Sequence, residues 1–508
     1  MNANQTLLWF AGHEMRLAWR DWAALMAGGR TAREKAVTLI VLLFALGLHG
    51  LAYAILEPVF KNGVAANMPT LVVLSAVLLT TFSMMLSQSI EHVTRAFYAR
   101  ADLDLILSSP APARHLFAVR ILSICVTGAL MTALVVSPFV NVAAALDGAQ
   151  WLSAYAVIFA MSALSTGFAL ALAMILFRTL GPKRTRTIAQ VVAAIVGAAL
   201  LIFIQAVAVL TYGNLSRMAV LTSPELLAAL PGSESLAWVP AKAILGDLRS
   251  GLALLTVSLA ILTLAIAYFS EAFAGQVIAA AGLSEGTNEN AARRRPYRAM
   301  TTVQALRTKE WALLARDPWL LSQTLMQVLY LIPPALLLWR DMGTDADVQV
   351  ILAPVLVMAF GQLAGGLSWL AISGEDAPDL VATAPVNMKM ITRAKIEAVL
   401  AVVAVGCSPF LIALAFASTR GALAAATGIA AASAAAIVIQ LWFRATAKRS
   451  QFRRRQMASK AATFSEAFSS LFWAGAAGFA AAGSWAAVIF VVLALIVLPI
   501  TWSIRPRA

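Results

Sequence analysis

The chain has 508 residues, 61% of them hydrophobic and only 12% charged, with a mean hydropathy of +0.82. Soluble domains carry about 25% charged residues, so charge this scarce excludes a chain that mostly faces water. The net charge of +14 points at first to nucleic acid, but the placement of the cations, given below, assigns them to membrane topology.

Taken in order, residues 7–26 mix Trp9, Trp19 and Trp22 with Glu14, Arg16, Arg20 and Asp21. That stretch is too charged to cross a bilayer and reads as an amphipathic helix lying in the interface. A spanning helix needs roughly 20 apolar residues, and such runs follow at 36–57 and 69–89. The first comes after Arg30, Arg33 and Lys35, has full membrane length and lacks a small-residue cleavage site, so no cleaved signal peptide is predicted. A polar stretch, 90–118, separates these runs from spans at 119–143 and 151–177. The basic hairpin Arg178 to Arg186 precedes a fifth span at 188–212. Residues 213–250, with Pro224, Pro231 and Pro240, read as short interfacial or re-entrant helices before a sixth span at 251–272. The most polar stretch, 282–298, marks a solvated linker. The pattern then restarts with a charged, Trp-bearing stretch at 304–326 and spans at 319–339, 350–372, 395–417, 421–443, 466–483 and 485–504. The predicted fold is an all-α polytopic membrane protein of about twelve spans. It divides into a first six-helix unit (1–281), a linker (282–300) and a second six-helix unit (301–508).

Cytoplasmic loops collect lysine and arginine. With the N-terminus and every second loop on one side, only Lys61, Arg217, Lys242, Arg249, Arg340 and Arg420, six of the 38 cations, fall on the other. This asymmetry predicts both termini on the cytoplasmic side. It leaves the basic residues as topology signals and lipid-headgroup contacts, with no nucleic-acid partner.

The two halves share landmarks. Asp104-Leu105, four residues, Pro110 recurs as Asp379-Leu380, four residues, Pro385. Ten residues past each proline stands a cation, Arg120 and Lys395. Glu14, Arg20, Asp21 and Trp22 match Glu310, Arg316, Asp317 and Trp319. Phe177-Arg178 with Lys183-Arg184 matches Phe443-Arg444 with Lys448-Arg449. Three matches in the same order point to a duplication. An even number of spans per unit makes the repeats parallel, with a pseudo-twofold axis along the membrane normal. Both Asp-Leu-Pro loops then lie on the cytoplasmic face as an equivalent pair. In each, the aspartate suits a helix cap, the leucine offers an apolar knob, and the proline ends the helix; Arg114 adds a cation after the first loop.

Ionisable residues inside the spans are nearly absent. Glu57, Glu271 and Glu397 sit at span ends and His49 lies deeper, where hydrogen bonding to a backbone carbonyl is the plain expectation. The intramembrane polar residues are Gln88, Gln205, Gln323, Gln327, Gln362 and Gln440, read first as interhelical hydrogen-bonding groups. Cys125 and Cys407 lie in apolar runs as core residues, and His13, His49, His92 and His115 form no metal-ligand spacing. No GxxxxGK[ST] loop, nucleophile–base set or paired carboxylates occur, so no catalytic role is expected.

This pattern resembles the permease subunits of ABC-2 exporters, in the long variant with two six-span units in one chain. The resemblance covers essentially the whole chain. It places a connecting helix before the first span, at Glu14 to Trp22, a coupling helix at Asp102-Leu103-Asp104-Leu105 to Ser109-Pro110, and short outer helices at 213–250. The second half departs from it, having no counterpart to 213–250. The resemblance implies export across a prokaryotic inner membrane, driven by a separate ABC ATPase dimer that binds ATP and Mg and docks on the two loops. Two other classes remain open from the residues alone: a twelve-span secondary carrier, which needs a coupling-ion site at membrane depth, and a non-transporting membrane enzyme or assembly factor.

Overall fold

The structure, a computed structural model, describes residues 34–61, 67–98, 113–212, 216–282, 300–316, 347–373, 385–443 and 460–505. Isolated positions at 12–13, 16, 64, 325, 329, 331–333, 335–336 and 383 are also described. Among the described residues every regular element is a helix and no strand occurs. The chain forms two compact units, Met1–Leu201 with Arg217–Thr287, and Ile202–Ser216 with Asn288–Ala508.

In the first unit α1 (Glu34–Lys61), α2 (Met68–Tyr98) and α3 (Ala113–Asp147) come in succession. The helical stretch Ser153–Tyr212 is two helices, α4 (Ala149–Gly181, opening with a 3-10 turn) and α5 (Arg184–Tyr212). They meet at Gly181, whose φ of 70° and ψ of 167° lie in a region open essentially to glycine alone. The basic stretch after Arg178 is therefore a tight turn between helices. Ile90, Phe117, Ile121, Leu170, Met174 and Leu262 pack the core.

Residues 217–244 form the short helices α6 (Arg217–Leu221), α7 (Pro224–Ala229) and α8 (Val239–Ile244), as their prolines predict. Ser223 caps α7 by accepting from the Leu226 N–H at 3.3 Å. Trp238 and Ala241 bury against Leu71 and Val72 of α2. The long helix α9 (Leu248–Gly282) follows, capped by Asp247, which accepts from the N–H groups of Arg249 and Ser250 and from the Ser250 hydroxyl. These donors, the Ser250 hydroxyl foremost, hold the Asp247 carboxyl below the usual range.

The second unit holds α10 (Thr302–Arg316), α11 (Asp347–Ser373), α12 (Met388–Ala417), α13 (Thr419–Trp442), α14 (Lys460–Ala482) and α15 (Ala486–Ile504). Its core sets Leu352, Leu356, Val357 and Phe360 of α11 against Ala425, Ile429 and Ala432 of α13 and Ala474 and Ala477 of α14. Small residues bring these backbones close: a methyl on Gly428 would lie 2.6 Å from Val357 Cγ2 and 3.1 Å from Ala477 Cβ. Close approach of this kind is how helices associate where apolar burial gives no net drive. α14 and α15 form a hairpin that turns at Gly483, φ 77°. Arg420 donates from Nε to the Ala480 carbonyl at 3.1 Å beside that turn.

Nine helices among the described residues are long and apolar enough to cross a membrane, supporting a multi-pass membrane protein. They coincide with nine of the predicted spans and mostly run longer. Large apolar side chains such as Val135, Leu264 and Phe416 are exposed on them, as lipid-facing positions require. Of the other three predicted spans, 36–57 is helical within α1, and 319–339 lies almost wholly outside the described residues. The third, 466–483, falls on α14, which is not among the nine because Ser465, Glu466, Ser469 and Ser470 dilute its apolar character.

Candidate functional site

The site that sequence reasoning singles out begins where α3 and α12 emerge from the two Asp-Leu-Pro loops. Asp104, Leu105, Pro110, Asp379 and Leu380 lie outside the described residues, as do Glu14, Arg20, Asp21, Trp22, Asp317 and Trp319. Arg316 ends α10. Arg114, Arg120, Glu310, Pro385 and Lys395 are in place.

Pro385 is exposed at a bend. Two residues on, Asn387 caps α12, its side chain accepting from the Lys389 N–H at 2.9 Å. The helices therefore do not start at the cations, as the apolar runs had implied. Lys395 stands seven residues past Met388, the first residue of α12 (395 − 388), and Lys389 stands one residue past it (389 − 388) and is exposed. Arg114 and Arg120 lie within α3, Arg114 exposed and Arg120 buried. An early lysine opposes the helix dipole by about 0.3–1 kcal/mol. Helix stability thus does not account for Lys389.

Lys395 is the residue on which three helices of the second unit meet. Its Nζ lies 3.2 Å from Glu310 Oε1 on α10 and donates to the Ala371 carbonyl on α11. Glu310 is completely buried and takes a second cation, Lys309, at 3.3 Å. Burying a carboxylate without such partners is prohibitive. Two residues that the sequence reading singles out, 85 positions apart, are thus joined as one ion pair. Glu397 adds a second tie. It is not at a span end but well inside α12, where it accepts from Arg307 of α10 at 2.7 Å and from Arg393 at 2.8 Å. This exposed cluster edges an open groove of about 620 Å³, lined by Met388, Lys389, Thr392, Arg393, Ile396 and Glu397. Cationic and apolar groups at the mouth of a helix bundle suit an acidic partner or lipid headgroups. No group of three or more His, Cys, Asp or Glu that could hold a metal ion occurs among the described residues.

The polar residues of the spans resolve as follows. His49 Nδ1 bonds the Ala45 carbonyl at 2.8 Å, as expected. Cys125 and Cys407 are buried and free. Gln440 makes the interhelical bond read from its type, but to an acid that sequence reasoning passed over: its Nε2 donates to Glu466 Oε1 at 2.6 Å. Glu466 stands inside α14, not at its edge, so acids are not confined to span ends. The run of small residues around it was the signal that a buried neighbour had to be close.

The chain matches no family model, no curated protein and no solved structure.

Proposed function

We propose that the chain is the membrane-spanning permease subunit of an ATP-driven exporter of the ABC-2 type. In this reading it has twelve spans in two tandem six-helix units, with both termini in the cytoplasm of a prokaryotic cell. The observation that carries the reading is the matched register of the two loops. Asp104 and Asp379, Arg114 and Lys389, and Arg120 and Lys395 are all 275 residues apart (379 − 104, 389 − 114, 395 − 120). Both members of each cation pair lie within a helix, α3 or α12. A pair of equivalent loops is what a twofold ATPase dimer grips. The chain writes no P-loop of its own, so ATP and Mg belong to that partner. In this reading Leu105 and Leu380 enter apolar grooves of the ATPase, while Arg114 and Lys389 meet its acidic rim. The ion pairs that fasten α10 to α12 turn a push on the second loop into movement of three helices at once.

The test is purification of the full chain in mild detergent with identification of what accompanies it. A P-loop ATPase is expected with the wild-type chain. Leu105→Arg combined with Leu380→Arg is expected to lose it while the chain stays monodisperse. A wild-type preparation that reconstitutes transport with no ATPase present overturns the reading, and an ATPase retained by the double variant overturns the docking assignment.

A further inference from the structure

We infer that Glu466 is a proton-binding site built into the seam between α11, α13 and α14. The inference is independent of the permease reading, since it rests on the interior of the second unit and not on the loops.

The seam is interlocked at two levels. A methyl on Gly365 would lie 2.7 Å from Glu466 Oε2 and 3.0 Å from its carboxyl carbon. One turn earlier, a methyl on Gly361 would lie 3.0 Å from Ser470 Oγ and 3.0 Å from Ala432 Cβ. Glu466 and Ser470 are themselves one turn apart, so both face α11. The glycines of α11 thus make room for the polar face of α14.

The groups around it are short of partners. The hydroxyls of Ser433 on α13 and of Ser469 and Ser470 on α14, each 1% exposed, have no hydrogen-bond partner among the described residues, nor does Trp473 Nε1. Glu466, half-buried, has one neutral donor, Gln440 Nε2. Among the described residues the charged groups of the packed helices stand at their ends. On α13 the cation is Arg420, at the far end against Ala480. α11 carries only Asp347, and α15 carries none before Arg505, which lies over the Trp502 ring just past its end. α14 itself carries, besides Glu466, only Lys460, at its start. Among the described residues an ionised carboxylate here has no paired cation.

A proton answers that lack where a metal ion does not. A cation needs several oxygen ligands, and among the described residues no group of three or more His, Cys, Asp or Glu includes Glu466. A proton needs no such group. The Glu466–Gln440 pair can also stay bonded in both states. The carboxylate accepts from the Gln440 N–H; the protonated carboxyl donates its O–H to the Gln440 carbonyl once the amide turns over. The proton comes from water and returns to water, leaving the carboxylate charged by one unit. Acids that mark proton pathways sit among helices in this way.

Infrared spectroscopy of the full chain in lipid nanodiscs tests the site at neutral pH. The expected result is a protonated-carboxyl C=O band that Glu466→Gln removes and that moves to lower frequency when the water is exchanged for D₂O. Gln440→Leu is expected to keep the band but raise its frequency, because one hydrogen bond to the carboxyl is gone. This second variant assigns the band even if Glu466→Gln lowers the yield of folded protein. A spectrum without the band, a band that survives Glu466→Gln, or one that never responds to D₂O overturns the site.

Discussion

Two carboxylates of the second unit, Glu310 and Glu466, meet the same problem with opposite means. Glu310 is wholly buried and is matched by charge: Lys395 at 3.2 Å and Lys309 at 3.3 Å. Glu466 is matched by an amide, Gln440, and by close packing against Gly365. The first arrangement fixes three helices to one another and tolerates no change of charge. The second leaves the charge itself adjustable. An acid set between helices is thus a fastener or a switch according to whether a cation reaches it, and the helix packing decides which.

The largest way to break the contrast is Lys395→Met, which leaves Glu310 with Lys309 alone. Loss of one partner of a buried pair costs about 3–5 kcal/mol, and the remaining lysine puts the expected loss at the low end of that range. Denaturant unfolding in detergent reads it, and Lys395→Met combined with Glu310→Met is expected to recover much of the loss. Next comes Gly365→Ala, which drives a methyl onto Glu466 and is expected to cost about 1–3 kcal/mol through overpacking. The neighbouring Gly366→Ala meets nothing within 4 Å and is expected to be neutral or mildly stabilising by comparison. Glu466→Gln keeps shape and replaces a protonated carboxyl by a neutral amide, so it is expected to leave thermal stability nearly unchanged, whereas Glu310→Gln removes the buried charge that Lys395 faces and lowers it. Arg307→Gln breaks a half-exposed pair with Glu397. Its effect is expected to be small and to shrink further in high salt.

Asp247, at the exposed start of α9, extends the series to its weakest member. Its carboxyl is held low by the Ser250 hydroxyl and the backbone donors of α9. Its contribution is therefore complete above the ordinary aspartate value of about 3.9 and is lost as the pH falls through the lower folded value. Asp247→Asn is expected to lower stability slightly at neutral pH, leave it unmoved at the lowest pH, and so flatten the acid limb of the stability curve.

Spans were legible because a membrane imposes a length that few other constraints imitate. The prolines at 224, 231 and 240 likewise marked short helices, and the basic stretch Arg178 to Arg186 marked a hairpin. The start of α12 was not legible. The residues between Asn387 and Lys395 are polar enough to read as loop, yet the Asn387 cap and good helix formers such as Met388, Lys389 and Met390 carry the helix through them. Glu466 was misplaced for a related reason. Reading hydropathy along a line pushes a charge to the edge of a span, whereas the fold keeps it inside by setting Gly365 opposite. Glu310 and Lys395 stood out as repeat landmarks, but only packing of α10 on α12 reveals that they are partners.

The Gly483 turn has a consequence for biogenesis. α14 brings Glu466 and three serines within four positions of it, and alone it offers the translocon a poor segment to release into lipid. α15, with mean hydropathy of 2.5 over its apolar window, follows after a turn too short to let the two separate. The pair is expected to partition as one piece, the later helix rescuing the earlier. A chain truncated before Ala486 is then expected to leave α14 accessible to aqueous cysteine reagents, and restoring α15 to protect it.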